Sequence, residues 1–179
     1  MSIPQQSNPA CLVVGMFMKD RSLFEKIVCC VKEQFGHIAM VSRWFNFDYT
    51  TYYEKEMGMP LYRRMVSFTD LIDPVQLPDI KLFTNQIELQ FSDNNKRNIN
   101  IDPGYIVPER FVLATGKNYT HRIYLDKGIY ADLTLIYQKG QFNKLPWTYP
   151  DYAADNVKNF LNNVRKQYLA KSGPPCLTV

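Results

Sequence analysis

None of the four cysteines, Cys11, Cys29, Cys30 and Cys176, belongs to a Cys-x-x-Cys pair. Metal-ligand spacing is therefore missing, and the expectation is small buried thiols in a reducing compartment. The longest apolar run, Cys11 to Met18, is far too short to span a bilayer. The N-terminus, Met1-Ser2-Ile3-Pro4-Gln5-Gln6, lacks the basic and then apolar regions of a secretory leader. Together these absences predict a soluble, cytoplasmic chain with no membrane partner. Gly-x-Gly-x-x-Gly, Gly-x-Ser-x-Gly and His-Glu-x-x-His are all missing. Gly116-Lys117 superficially looks like a phosphate loop, but Phe111 stands where the earlier Gly belongs and Asn118 replaces Ser or Thr. The backbone cradle and the magnesium-binding hydroxyl are absent, which excludes a phosphate-loop nucleotidase. Repeats and low-complexity tracts are absent too.

What is present is a globular composition. The 179 residues are 46% hydrophobic and 21% charged, with 12 Tyr and 11 Phe. A chain of this length forms one domain and buries about 70% of its unfolded surface. The formal net charge of +4 is too small to argue for nucleic acid by itself.

The pattern predicts a strand over 11–18 and an amphipathic helix behind Asp20, with Leu23, Phe24, Ile27, Val28, Val31 and Phe35 as its stripe and Gly36 as its stop. A second strand is expected over 38–47, and a short helix from Thr51 to Gly58. A third strand is expected near 62–69. A second long helix starts near Asp73-Pro74, delayed by Pro78, with the stripe Ile80, Phe83, Ile87 and Phe91. A fourth strand covers 97–102. This order is that of a ferredoxin-like α+β core, βαββαβ, over about 11–103. An antiparallel β meander (104–145), a C-terminal helix (150–170) and a loose tail (171–179) would complete a single domain.

In the meander, Asp102-Pro103-Gly104-Tyr105 reads as a turn. Strands over 111–115, 119–125 and 129–137 follow. A three-residue loop, Asp126-Lys127-Gly128, sets Leu125 opposite Ile129, Arg122 opposite Asp132, Thr120 opposite Thr134 and Tyr124 opposite Tyr130. The last helix carries Val157, Phe160, Leu161, Val164 and Tyr168 on its buried stripe, and Lys158, Arg165 and Lys166 outside.

Several polar groups admit two readings. Asn98, Asn100 and Asp102 alternate on one strand face although Asn and Asp are poor strand formers. They form either a solvated edge, the commoner outcome, or a polar cavity with Asp102 at its mouth. Lys81, Asn85 and Glu88 share one helix face, which is ordinarily solvated but would join that cavity if turned toward the meander. His121 shares a face with Ile123, Leu125, Leu133 and Leu135 in the expected register. It is either a satisfied core histidine or a general acid or base tuned near neutral pH; His37 reads as a surface residue. Arg122 and Asp132 are expected as an exposed cross-strand pair contributing about 0.5 kcal/mol. Arg97, Lys117 and Arg122 fall in the same half of the chain, where cations hold a phosphate or carboxylate.

The stretches Asp48–Gly58, Ile80–Asn85, Asn98–Tyr105, Leu113–Thr115, His121–Leu125, Gly128–Tyr130 and Trp147–Asp151 occur in this order. Together they resemble an uncharacterised prokaryotic family, domain-of-unknown-function family 4416, over nearly the whole chain. The family implies no established activity. A GTP-binding label carried by some members has no counterpart in a chain without a phosphate loop. The resembling stretches contain Lys81, Asn85, Asp102, His121, Arg122 and Asp151, which tilts the reading from solvated faces toward a shared site.

The first expectation is thus an enzyme, or a small-ligand binder, for a phosphorylated or otherwise anionic metabolite such as a nucleotide. Lys81, Lys117 and Arg122 would neutralise it, and Asp102 and His121 would move protons. Tyr52, Tyr53 and Trp147 would stack on a ring, with Asn85, Glu88, Asn100, Asp132 and Asp151 completing the site. No spacing supports a metal on Asp102 and Glu88, and no cofactor is indicated. One alternative is an RNA-binding module on the ferredoxin-like sheet, although Arg63–Phe68 lacks the glycines and most aromatics that such a platform needs. Another is a non-catalytic interaction or regulatory domain that pairs through the aromatic segment 44–62. Oligomeric state is not encoded in any feature of the sequence.

Overall fold

A computed structural model describes residues 1–94 and 96–172. Ala10–Met18 forms β1, buried at every position, as a continuous apolar run requires when both sheet faces are covered. Leu23–Phe35 forms α1 and buries Phe24, Ile27 and Val31. Its start is organised by Asp20, whose Oδ1 accepts from Ser22 N at 2.9 Å. Its end is Gly36 at φ +84°, a left-handed conformation that favours glycine. The expected strand 38–47 divides into β2 (Ile38–Val41) and β3 (Phe45–Asn46). Ser42 breaks the run, because its hydroxyl turns in to accept from Met65 N at 2.9 Å. After α2 (Glu54–Met57) comes β4 (Tyr62–Ile72). Asp73 then caps a 3-10 turn, Pro74–Gln76, through a reciprocal capping box, and α3 (Leu77–Gln90) begins one turn late.

The rest comprises the hairpin β5 (Ser92–Asp93) and β6 (Lys96–Arg97), then β7 (Ile99–Val107), β8 (Arg110–Thr115), β9 (Arg122–Asp126), β10 (Ile129–Gln138) and β11 (Gln141–Lys144). The short α4 (Pro150–Ala153) and the long α5 (Asp155–Ser172) close the chain. The described residues form a mixed α/β protein with five α-helices and one large sheet, ordered β11-β10-β8-β7-β1-β4-β2. β3 pairs beside β4 and β9 beside β10, and the registered pairings are antiparallel.

Alternation along β1 sorts its side chains to two faces. Leu12, Val14, Met16 and Met18 pack with α1 and α3 through Phe24, Ile27, Val31, Ile80 and Ile87. Cys11 and Val13 pack on the other face against α5 through Val157, Leu161, Val164 and Tyr168. Farther along that second face, Phe17 packs with Phe47, Met57 and Leu61. The candidate site lies on this face, where α5 no longer covers it.

The structure corrects four local expectations. First, residues 102–105 are no turn: β7 runs through them, and the chain reverses at Pro108-Glu109. Pro103 is tolerated because β8 pairs with β7 only from Gly104 onward, so its missing N–H faces no strand. Second, the β9–β10 loop is the two residues Lys127 and Gly128, at φ +52° and +77°. Ile129 therefore pairs with Asp126, and a bulge between Ile129 and Tyr130 restores the expected Tyr124–Tyr130 and Arg122–Asp132 pairs. β9 starts at Arg122, so Thr120 lies outside the ladder and does not face Thr134. Third, the C-terminal helix is interrupted at Ala154, whose ψ of 144° is extended. Fourth, Arg165 is half-buried, with its guanidinium over the Tyr137 ring and Nε donating to Pro108 O at 2.6 Å. No described helix is long and apolar enough to cross a membrane. Cys176 and the expected loose tail beyond Ser172 lie outside the described residues.

Candidate functional site

The site begins where the sheet splits. β7 and β8 are paired over Gly104–Val107 but part company before Gly104. The exposed ladder edge of β7 must find other partners, and α3 supplies them. Lys81 Nζ donates to Ile101 O at 2.7 Å, and Ile101 N donates to Glu88 Oε1 at 2.6 Å. Two charged side chains thus stand in for a neighbouring strand, and both are buried at 8% and 6% exposure. The face read as solvated on α3 is therefore turned inward, because only a polar stripe can satisfy an open strand edge.

Above this split lies a cleft of about 700 Å³, a size typical of small-molecule sites. The sheet register builds its floor: Phe17 pairs with Arg63 on one side and Asn100 on the other, and Asp132 pairs with Leu113 and Arg122. The segment Phe47–Tyr53 forms one wall and Tyr149–Tyr152 another.

A continuous polar chain crosses the floor. Arg63 Nη1 lies 2.5 Å from Asp151 Oδ2 and Nη2 lies 3.4 Å from Asp102 Oδ2. The guanidinium is enclosed by the rings of Phe17, Phe47 and Tyr152. Asn100 Nδ2 donates to Asp102 Oδ1 at 2.8 Å, and Asn100 Oδ1 accepts from Arg97 Nη1 at 2.9 Å. Arg97 forks onto Glu56 at 2.7 and 2.9 Å and reaches Glu88 Oε2 at 3.3 Å. A second cluster centres on Arg122. Its Nε donates to Asp132 Oδ2 at 2.9 Å, Nη1 to Lys117 O at 2.8 Å and Nη2 to Tyr149 Oη at 2.7 Å.

Burial sets the protonation of these groups. It raises the Glu88 carboxyl, against the pull of Lys81, the Ile101 amide and Arg97. It likewise raises Asp151, opposed by Arg63, and the Tyr53 phenol. The hydrogen bond from Arg97 holds Glu56 below the usual carboxylate range. Burial opposes the Arg63 charge, but Tyr152, Asp151 and Asp102 more than restore it. Raised carboxyls beside fixed cations are the pattern that functional clefts share.

Of the side chains singled out from sequence, Tyr52, Tyr53, Lys81, Asn85, Glu88, Asn100, Asp102, Lys117, Arg122, Asp132 and Asp151 all line this cleft. Asn98 does not; it is exposed and donates to Phe91 O. His121 and Trp147 lie outside the lining. His121 precedes β9, so strand alternation does not govern it, and it leaves the apolar face expected for it. Ile123 and Leu125, its expected neighbours there, are exposed at 71% and 38%. His121 Nε2 lies 3.2 Å from Asp132 Oδ2, and its ring stacks on Trp147 at 5.0 Å. His121 thus stands behind Asp132, beside the cleft and not in its lining. The Arg122–Asp132 pair is also buried, at 6% and 4% side-chain exposure, not exposed as its turn-proximal sequence suggests.

Sequence reasoning missed Arg63, Tyr149 and Tyr152, and treated Arg97 only as a nearby cation. Arg63 left a signal: it sits in phase with inward-facing Leu61 and Met65, where a charge demands buried partners. Among the described residues, no group of three His, Cys, Asp or Glu side chains is arranged to hold a metal ion.

An antiparallel sheet covered on both faces, split to admit polar side chains into one cleft, defines the architecture. The chain belongs to the family described as Domain of unknown function (DUF4416), whose model matches residues 8–168. The match spans every strand of the cleft floor and both of its walls. No curated protein and no solved structure matches the chain.

Proposed function

We propose that the cleft binds a small anionic metabolite, phosphorylated or nucleotide-like, and that the chain is an enzyme or a binder acting on it in the cytoplasm. The observation that carries this reading is the convergence of Arg63, Lys81, Arg97, Lys117 and Arg122, from four separate parts of the chain, on one ring-walled hollow. Bringing so many cations together is electrostatically costly, and they are held by carboxylates that leave Lys117 and part of Arg97 facing solvent. Asp102 keeps 26% side-chain exposure and is the carboxylate best placed to exchange a proton with a ligand.

The strand order β7-β1-β4-β2 with α1 and α3 on one face supports reading the core as ferredoxin-like. In an RNA-binding sheet of that kind the opposite face stays open. Here α5 and the 47–58 segment occupy it, which speaks against the RNA reading. Phe47, Met57 and Leu61 likewise turn inward onto Phe17, so segment 44–62 offers less contact surface than its composition suggests. Thermal-shift screening of the full chain against nucleotides, sugar phosphates and carboxylate metabolites tests the proposal. Stabilisation by at least one anion, lost in Lys117→Met, is expected; no shift with any of them would remove the function.

A further inference from the structure

We infer that the ligand carries a single phosphate on a hydroxyl-bearing ring, as in a sugar monophosphate or a nucleoside monophosphate, and that polyphosphates are poorly accepted. The inference rests on the reading of the cleft as an anion site and narrows the class of anion.

Charge balance sets the limit. The lining cations exceed Glu88, Asp102, Asp132 and Asp151 by only one, and Glu56 offsets Arg97 further. Arg63 is engaged by two aspartates, Lys81 by Ile101 O and Glu88, and Arg122 by Asp132. Lys117 is exposed, and its ammonium rests on the Tyr52 ring at 4.9 Å from the centroid. It alone among the lining cations makes no close ion pair with a carboxylate among the described residues, although Glu56 feels its charge. One free ammonium suits one phosphate, with its charge of about −1.5 to −2 at neutral pH. A triphosphate brings further charges that meet no second free cation.

The same inventory leaves a point-charge contact to the anion rather than a bidentate one. The planar fork of arginine reads carboxylate and phosphate alike in a bidentate way, whereas lysine holds phosphate as a point charge. The forks of Arg97 and Arg122 are already spent on Glu56 and on Asp132, Lys117 O and Tyr149.

Acceptors and rings supply the remainder. Asp102 has each oxygen bonded once, to Asn100 and to Arg63, while an ionised carboxylate accepts about four hydrogen bonds. Its spare lone pairs suit a pair of hydroxyls. Asn85 lines the cleft, and its amide makes no hydrogen bond among the described residues. Tyr52 and Tyr53 meet edge to face at 4.9 Å, and Arg97 lies over Tyr53 at 5.8 Å. Tyr53 thus adjoins Tyr52, on whose ring the free ammonium rests, and feels the Asp102 charge.

Isothermal titration of the full chain decides the matter. The probes are ribose 5-phosphate, 2-deoxyribose 5-phosphate, AMP, GMP, CMP, UMP, ribose, the four nucleosides, inorganic phosphate, citrate, ATP and GTP, with EDTA and again with Mg²⁺. At least one ring monophosphate should bind tenfold or more tightly than inorganic phosphate, its unphosphorylated parent and its triphosphate. Binding by ribose 5-phosphate identifies the sugar source, and binding by nucleoside monophosphates alone identifies the nucleotide source. Lys117→Met should weaken that binding at least tenfold with the melting temperature unchanged, and Lys117→Arg should recover part of it. The 2-deoxy sugar should bind several-fold more weakly than ribose 5-phosphate if the sugar is the source. A triphosphate that binds as tightly as the monophosphate, or unaltered binding in Lys117→Met, overturns the inference. Binding of citrate alone would leave the anion site standing and remove the phosphate assignment. Silence from every probe would remove both.

Discussion

At the scale of single residues, the cleft holds charges that the protein has taken out of water at a cost and then compensated. Arg63 is the extreme case, at 2% exposure between Asp102 and Asp151. Removing one partner of a buried ion pair leaves its carboxylates uncompensated, which costs about 3–5 kcal/mol. Arg63→Met should lose about that much in urea unfolding at neutral pH, and a loss below 1 kcal/mol would mean that water reaches the carboxylates. Glu88 gives a pH signature. Burial lifts its carboxyl above the usual 4.5. Such a group adds stability that is complete below about pH 4.5 and lost as pH rises through its folded value. The stability of the native protein relative to Glu88→Gln should therefore fall as pH rises from about 4.5 toward neutrality. A difference that grows over that range would show Lys81 and Arg97 outweighing burial. Glu88 also shows what the sequence conveyed. Its helix phase with Lys81 and Asn85 was legible, but a polar stripe at that phase is the same string whether it faces water or an open strand edge. Only the splitting of β7 from β8 decides, and that is a property of pairing between distant segments. His121 failed for a local reason: the turn at 119–121 precedes β9, so a period of two could not be carried back to it.

At the scale of elements, the split is maintained by backbone proximity. A Cβ on Gly104 would lie 2.4 Å from Val112 O and 2.9 Å from Leu113 Cδ2, at the first pair where β8 joins β7. Overpacking of this kind costs about 1–3 kcal/mol. Gly104→Ala should show that loss in denaturant unfolding and a faster amide exchange of β8; an unchanged midpoint would show that the two strands can separate freely. Asp102-Pro103-Gly104 reads as a turn by composition, and the misreading is instructive. Proline and glycine also occur inside strands where one partner strand is missing and another approaches closely, and both conditions hold here. The opposite wall depends on a looser contact. Glu56 on α2 clamps Arg97 with 29% exposure on each side, so Glu56→Gln should cost no more than about 1 kcal/mol in stability. It should nonetheless raise proteolysis within 48–58, since few other contacts tie α2 to β6. Equal cleavage of both proteins would show that Phe47 and Met57 hold the wall unaided. The order of the longer strands and helices was legible because each carries its own periodicity, whereas the short β5 and β11 were not expected. The two-residue turn at Lys127-Gly128 was not, because a lysine at positive φ is ordinarily disfavoured.

At the scale of the whole molecule, α5 seals one half of the second sheet face and leaves the other half to the cleft. Its stripe of Val157, Phe160, Leu161, Val164 and Tyr168 was readable from spacing alone, whereas the face it covers was not, since both faces of β1 are equally apolar. The seal reaches Cys11 at the sheet centre, which packs in the same cluster as Leu161 and Val164. Burial pushes the Cys11 thiol up to about 11, and only the thiolate reacts. Cys29, by contrast, is exposed on α1 and not buried as expected, because it falls off the Phe24, Ile27 and Val31 stripe that faces the sheet. At pH 8 the folded protein should thus alkylate at Cys29 and not at Cys11, with sites assigned by mass spectrometry of peptides. Leu161 is fully buried, and Leu161→Ala opens a cavity costing about 2–5 kcal/mol. If α5 and the sheet unfold as one unit, Cys11 labelling in that variant should rise in step with the loss of global stability, and ligand binding at the cleft should persist below the unfolding midpoint. Labelling of Cys11 that rises with no loss of global stability would instead mean that α5 detaches alone, and the cleft and the sealed half of the sheet would then be separate cooperative units.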